Sequence, residues 1–206
     1  MKRSLFAAAA VVAALAACAQ LRLPGMGWET LLDGGKGLEN FERVGDANWR
    51  VEDGAVVADR GKSGHLVSKK SYGDFELRAE FWAASDTNSG VFIRCNNRQK
   101  IDSKNCYEVN IWDTRPDPRY GTGAIVDVAA VPVPLANRAG GKWNTYEIAA
   151  RGGRMTVRLN GVQTVDVDEQ KMNLRSGPFT LQYALGGAQG AQGGPIKWRK
   201  VEIRPL

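Results

Sequence analysis

Residues 154–166 read RMTVRLNGVQTVD. Met155, Val157 and Leu159 alternate with polar neighbours, and Val162 and Thr164 again place β-branched side chains at every second position, the period of a half-buried strand. Between the two runs stands Asn160-Gly161, a pair that accepts positive φ at both central positions of a tight two-residue turn. The stretch is therefore a β-hairpin. Working outward, the same period recurs in 49–52 WRVE, 55–59 AVVAD, 65–68 HLVS, 74–82 DFELRAEFW, 90–95 GVFIRC, 107–112 YEVNIW, 143–149 WNTYEIA, 178–183 PFTLQY and 196–204 IKWRKVEIR. Turn chemistry separates the runs, as in Glu52-Asp53-Gly54, Tyr72-Gly73-Asp74 and Arg151-Gly152-Gly153-Arg154. Beyond residue 18 no window repeats apolar residues at helical spacing. So many short strands with tight turns predict an all-β chain built as a two-sheet antiparallel sandwich or a barrel.

Composition agrees. The 206 residues include 24 glycines with no period of three, which excludes collagen and implies many turns. Charged residues make up 24% and the apolar types 43%, enough for a sizeable core and unlike a disordered chain. The formal charge is +6, but Lys2 and Arg3 belong to a removable leader, and the net +4 left is too weak to predict a nucleic-acid partner.

That leader, MKRSLFAAAAVVAALAAC, opens with two cations and continues as an apolar stretch too short to span a bilayer. It ends Leu15-Ala16-Ala17-Cys18, which resembles the lipobox of bacterial lipoproteins. The expected organisation is a signal peptide over 1–17, a lipidated Cys18 with a tether to residue 27, and one sandwich domain over 28–206. With Ala19 and Gln20 after the cysteine, the expected place is the outer membrane of a Gram-negative bacterium, facing the periplasm, with membrane contact through the lipid alone. In that oxidising compartment Cys95 and Cys106 are expected to form a disulfide, two free thiols being the other reading. One histidine, His65, cannot build a His/Cys zinc set.

Several segments taken together, WRVEDGAVVA, HLVSKKSYGDFELRAEF, NSGVFIRC, CYEVNIWDTRPDPRYGTGAI and GKWNTYEIAARGGRMTVRLNGV, resemble the 3-keto-disaccharide hydrolase domain family. The resemblance runs from about Trp28 to Leu206. It implies a concanavalin-A-like jelly roll, a carbohydrate ligand and hydrolysis of 3-keto glycosides.

The residues permit that chemistry in one particular form. On the run Tyr107–Asp113, Glu108, Asn110 and Trp112 share a face while Asp113 points away, so the strand offers one acid rather than the carboxyl pair of an ordinary glycosidase. A 3-keto group acidifies the hydrogen on C2. One base, Glu108, then suffices to form an enolate that expels the group on C1, and water adds to the unsaturated sugar. Arg94, His65 or a divalent metal ion is the candidate for the enolate oxygen. No cofactor beyond such an ion is indicated.

The same residues also have plainer readings. Glu108 as a solvated strand carboxylate and Arg94 as its structural partner stay open. If the cysteines pair directly across the hairpin, Arg94 lies opposite Tyr107 and away from Glu108. Family resemblance places Asn88 and Ser89 at the sugar, though Asn88-Ser89-Gly90 also reads as a turn opening a strand. Trp112 is a stacking plate or a packed residue, and Gln182 is a candidate sugar ligand. Two residues after Gln182 the family commonly has a histidine where this chain has Ala184. That departure sustains an alternative reading as a non-catalytic glycan-binding module, with a purely structural envelope protein as a third.

Overall fold

A computed structural model describes residues 27–186 and 192–206. The described residues form thirteen strands: β1 (Glu29–Asp33), β2 (Phe41–Gly45), β3 (Arg50–Glu52), β4 (Ala55–Ala58), β5 (Ser63–Ser68), β6 (Phe75–Ala83), β7 (Ser89–Ile93), β8 (Tyr107–Ile111), β9 (Lys142–Arg151), β10 (Arg154–Leu159), β11 (Val162–Asp168), β12 (Thr180–Ala184) and β13 (Ile196–Pro205). Among the described residues the only helical pieces are two single 3-10 turns, Leu38–Asn40 and Pro118–Tyr120. All strand pairings are antiparallel.

The strands make two sheets. The large one runs β11-β10-β9-β6-β13-β4-β3, with β1 also on β13, and the small one runs β2-β5-β12-β7-β8. Alternation decides what lies between them. Phe75, Leu77, Ala79 and Phe81 of β6 face Leu66, Val91, Val109 and Leu181 of the small sheet in one core, with the Phe81 ring 5.0 Å from Tyr146 and 5.7 Å from Trp198. Each fully buried Val, Leu or Phe among these contributes roughly 1.5–3 kcal/mol of transfer free energy. The hairpin at Asn160-Gly161 joins β10 and β11, with Asn160 at φ 52° and Gly161 at φ 80°.

Strands β4, β7 and β8 are buried along their whole length, and β1 and β2 depart from alternation for local reasons. In β1 both Leu31 and Leu32 are buried, because the register slips between Thr30 and Leu32, and a bulge there puts consecutive residues inward. In β2, an edge strand, only Phe41 is fully buried.

The long connection after β8 lines the exposed edge of that strand. The amides of Asn110 and Val126 donate to the carbonyls of Ala124 and Glu108, which closes part of the sheet edge. Asp113 anchors this connection by accepting from the Thr122 hydroxyl at 2.6 Å and from the amides of Ala139 and Gly140.

Candidate functional site

The face of the small sheet turned away from the core carries the sequence's main candidates. Strand register sets them in two rows. One row crosses the sheet as Val67, Thr180, Phe92 and Glu108, and the next as His65, Gln182, Gly90 and Asn110. The side chains alternate with Leu66, Leu181, Val91 and Val109, which belong to the core, so the rows share the opposite face.

Glu108 is 9% exposed, and among the described residues no hydrogen bond reaches its carboxylate. Burial pushes its pKa up to about 7, against an opposing pull from the Arg115 guanidinium and with a smaller push from Asp127. A carboxylate held near neutrality is matched to taking a proton at physiological pH. Asn110 donates its Nδ2 to the Tyr120 carbonyl at 2.6 Å, which fixes the amide and leaves Oδ1 buried with no protein partner. Gln182 Oε1 and the Trp112 indole N–H are likewise buried and unpartnered. Buried polar atoms are nearly always satisfied, so the two open acceptors in the row next to Glu108, with the indole donor just past β8, make this face the candidate ligand site. Between Asn110 and Gln182 lies Gly90, where a Cβ would sit 3.0 Å from the Val109 carbonyl and 3.6 Å from both Glu108 Cγ and Phe92. A side chain at this position would press on the Glu108 and Phe92 side chains.

His65 packs edge-on against Phe92, with ring centroids 5.3 Å apart, and its Nδ1 is 3.0 Å from Thr180 Oγ1. Burial lowers its pKa to about 4, so the imidazole is neutral at pH 7. It offers a hydrogen bond rather than a positive charge.

Arg94 is not brought to Glu108. It sits at φ 53°, a left-handed turn that breaks the alternation at the end of β7, and Tyr107 pairs with Ile93 instead of Arg94. Its guanidinium is 1% exposed and donates to the carbonyls of Gly73, Gly152 and Leu174 and to Asp74. Those bonds tie three turns at one end of the sandwich and leave it no part in an enolate site. Ser89 is also corrected: it pairs with the core residue Ile111, and its hydroxyl donates to the Gln182 carbonyl at 2.5 Å. Asn88 lies along the outer face next to Ala184, with its amide nitrogen donating to Leu185. Trp112 lies just past β8, half-buried, with the Arg115 guanidinium 5.5 Å over its ring. That cation covers one face of the indole.

The sequence reading missed Arg115, the cation that Glu108 does feel, and Thr180, the partner of His65. Thr180 was signalled by alternation with Gln182. Arg115 lies in a loop before a proline, where no periodicity points to a face. Cys95 and Cys106 form the disulfide, which packs with Phe92 at the end of the rows. From the loop they close, Arg98 reaches the carbonyls of Ser68 and Lys69 at 2.9 and 2.8 Å, walling that end of the face. Among the described residues no three His, Cys, Asp or Glu side chains gather as metal ligands. Cys18 and the leader lie outside the described residues.

Solved structures share this architecture. A protein from Parabacteroides distasonis ATCC 8503, provisionally assigned as a glycosyl hydrolase, aligns with TM-score 0.68 and 24% identity over 87% of this chain and 99% of that one. The carbohydrate-binding module CBM66 from Bacillus subtilis aligns with TM-score 0.55 and 14% identity over 86% and 95% of the two chains. The carbohydrate recognition domain of Emp46p aligns with TM-score 0.56 and 13% identity over 84% and 93%. These likenesses establish the jelly-roll fold. No curated protein matches the chain. The sequence profile of one family, however, matches residues 27–204, nearly the whole of the described chain. This chain belongs to the 3-keto-alpha-glucoside-1,2-lyase-like domain family.

Proposed function

We propose that the protein cleaves 3-keto glycosides by elimination and hydration, with Glu108 as the base. The observation that carries the reading is the isolated, buried Glu108 carboxylate beside the unpartnered polar atoms of Asn110 and Gln182. Glu108 takes the proton from C2, the electron pair forms the enolate of the C3 carbonyl, and the C1–O bond breaks with its electrons leaving on the departing oxygen. That oxygen takes a proton, from Glu108 or from water. Addition of water across C1 and C2 returns the free 3-keto sugar. Arg115 and a neutral His65 supply the donors on this face for the enolate oxygen, while the Asn110 and Gln182 oxygens accept from sugar hydroxyls. In this reading Cys18 is acylated and holds the domain at a membrane facing the periplasm, as the lipobox-like sequence suggests.

The test is turnover of a 3-keto glycoside by the wild-type and Glu108→Gln proteins, beside binding of the unoxidised sugar. Loss of a positioned base costs about 10²–10⁴-fold, while affinity changes by less than about tenfold. A second reading, sugar binding without catalysis, is favoured by Ala184, which leaves a methyl group beside Asn88 where relatives commonly have an imidazole. Binding with no turnover of any keto substrate would select it.

A further inference from the structure

We propose that the outer face of the large sheet docks on an anionic phospholipid membrane, its arginine-lined groove receiving headgroup phosphates. This rests on the reading of Cys18 as a lipid anchor. A groove of about 420 Å³ runs over β6, β9 and β10, lined by Arg78, Arg151, Arg154 and Arg158, of which Arg78 is paired with Glu147, Arg151 with Glu76 and Arg154 with Asp166. Among the described residues Arg158 has no carboxylate within ion-pair distance, and its one side-chain hydrogen bond goes to the Gly161 carbonyl at 3.4 Å. Guanidinium groups suit phosphate because their fork binds two oxygens at once.

The chain itself says where a membrane would lie. Trp28 forms part of the groove, with Arg78 4.5 Å and Arg204 5.2 Å from its ring. Only residues 19–27 separate Trp28 from Cys18, a reach of roughly 30 Å when fully extended. An acyl chain on Cys18 would therefore hold Trp28 within about that distance of the bilayer. Further along the same face Trp82 pairs with Trp143, which is 39% exposed, giving indoles of the kind that settle among lipid headgroups. The two sheets pack face to face, so a large sheet lying on lipid turns the Glu108 face toward the solvent. Docking would present the sugar site to the periplasm.

The full chain, isolated from membranes, is reconstituted with vesicles of phosphatidylcholine alone or with about one third phosphatidylglycerol, and backbone hydrogen exchange is compared. The expected result is added protection over 142–159 with the anionic vesicles, lost in high salt. In Arg151→Gln/Arg154→Gln/Arg158→Gln it should fall about fivefold in apparent affinity per arginine removed, with exchange of the small sheet unchanged. Equal protection on both vesicles overturns the proposal. So does protection by a soluble anionic oligosaccharide with none from anionic vesicles, which would assign the groove to a ligand. Intact mass reports Cys18 separately. A chain without acyl groups would refute the anchor, while the difference between anionic and neutral vesicles still decides the groove.

Discussion

Asn110 lies directly across from Gly90 in the β7–β8 ladder, so the amide and the neighbouring Glu108 carboxylate border a position with no side chain. Under the proposed function, a sugar at Glu108 needs that gap as much as the polar groups around it.

Gly90→Ala tests the gap. Gly90 does not need a left-handed backbone, so the change adds only a methyl group, 3.0 Å from a carbonyl and 3.6 Å from Glu108 and Phe92. Crowding of this size costs about 1–3 kcal/mol, partly offset by the lower entropy of an unfolded chain with alanine. Saccharide affinity measured by calorimetry should fall at least about tenfold while the domain stays folded. Unchanged affinity would place the ligand elsewhere.

Glu108 should make the protein less stable as pH rises. Its folded pKa, about 7, lies above the ordinary 4.5, so the folded state binds more protons between those values. The stability of the neutral form is fully present below about pH 4.5 and is lost as pH rises through 7, amounting to about 3 kcal/mol above that. Glu108→Gln removes the charge. Urea unfolding should show the variant more stable than the parent at pH 8.5 and matched to it near pH 4.5.

His65 acts in the opposite sense. Its folded pKa of about 4 lies below the ordinary 6.5, so its contribution is present above pH 6.5 and lost as pH falls through 4. His65→Gln should flatten that acid limb of the stability curve, and an unchanged slope would mean the ring is not buried as described.

Arg94 is expected to serve stability and not turnover. Arg94→Met leaves the partly buried carbonyls of Gly73, Gly152 and Leu174 without the donor that the buried guanidinium supplies, at a cost of about 1–3 kcal/mol. Thermal unfolding should register the loss. At a temperature where the variant is folded, kcat should stay near the parent value.

These residues also show how far the sequence could be read. Period-two alternation placed Glu108 and Asn110 on one face because both lie inside a regular strand, while Gln182, a candidate on other grounds, joins their face only through the strand pairing. It failed at Arg94, where a positive φ on a non-glycine residue reverses the alternation without any compositional sign. It failed again at β1, where a bulge buries Leu31 and Leu32 in succession. Ser89 was assigned by resemblance, yet its hydroxyl is needed to join β7 to β12. Arg115 could not be placed at all, since the fold of the loop after β8, held by Asp113, decides where its guanidinium lies.

Arg115 provides the sharpest test of the site's electrostatics. Its charge pulls the Glu108 pKa down against burial, and its guanidinium stacks on Trp112, whose indole N–H is one of the unpartnered donors. Arg115→Met keeps much of the stacking bulk but removes the positive charge, so the pKa of Glu108 should rise further above 7. In the pH profile of kcat/KM for a 3-keto glycoside, the limb reporting deprotonation of the base should move to higher pH, and activity at the optimum should fall because a donor to the enolate is lost. Arg115→Lys retains the charge and should restore the midpoint more than the rate, since a lysine lacks the planar group that stacks on the indole. A merely structural Arg115 would lower stability or expression and leave the midpoint where it was. A Met variant with an unshifted midpoint would therefore remove Arg115 from the field acting on Glu108.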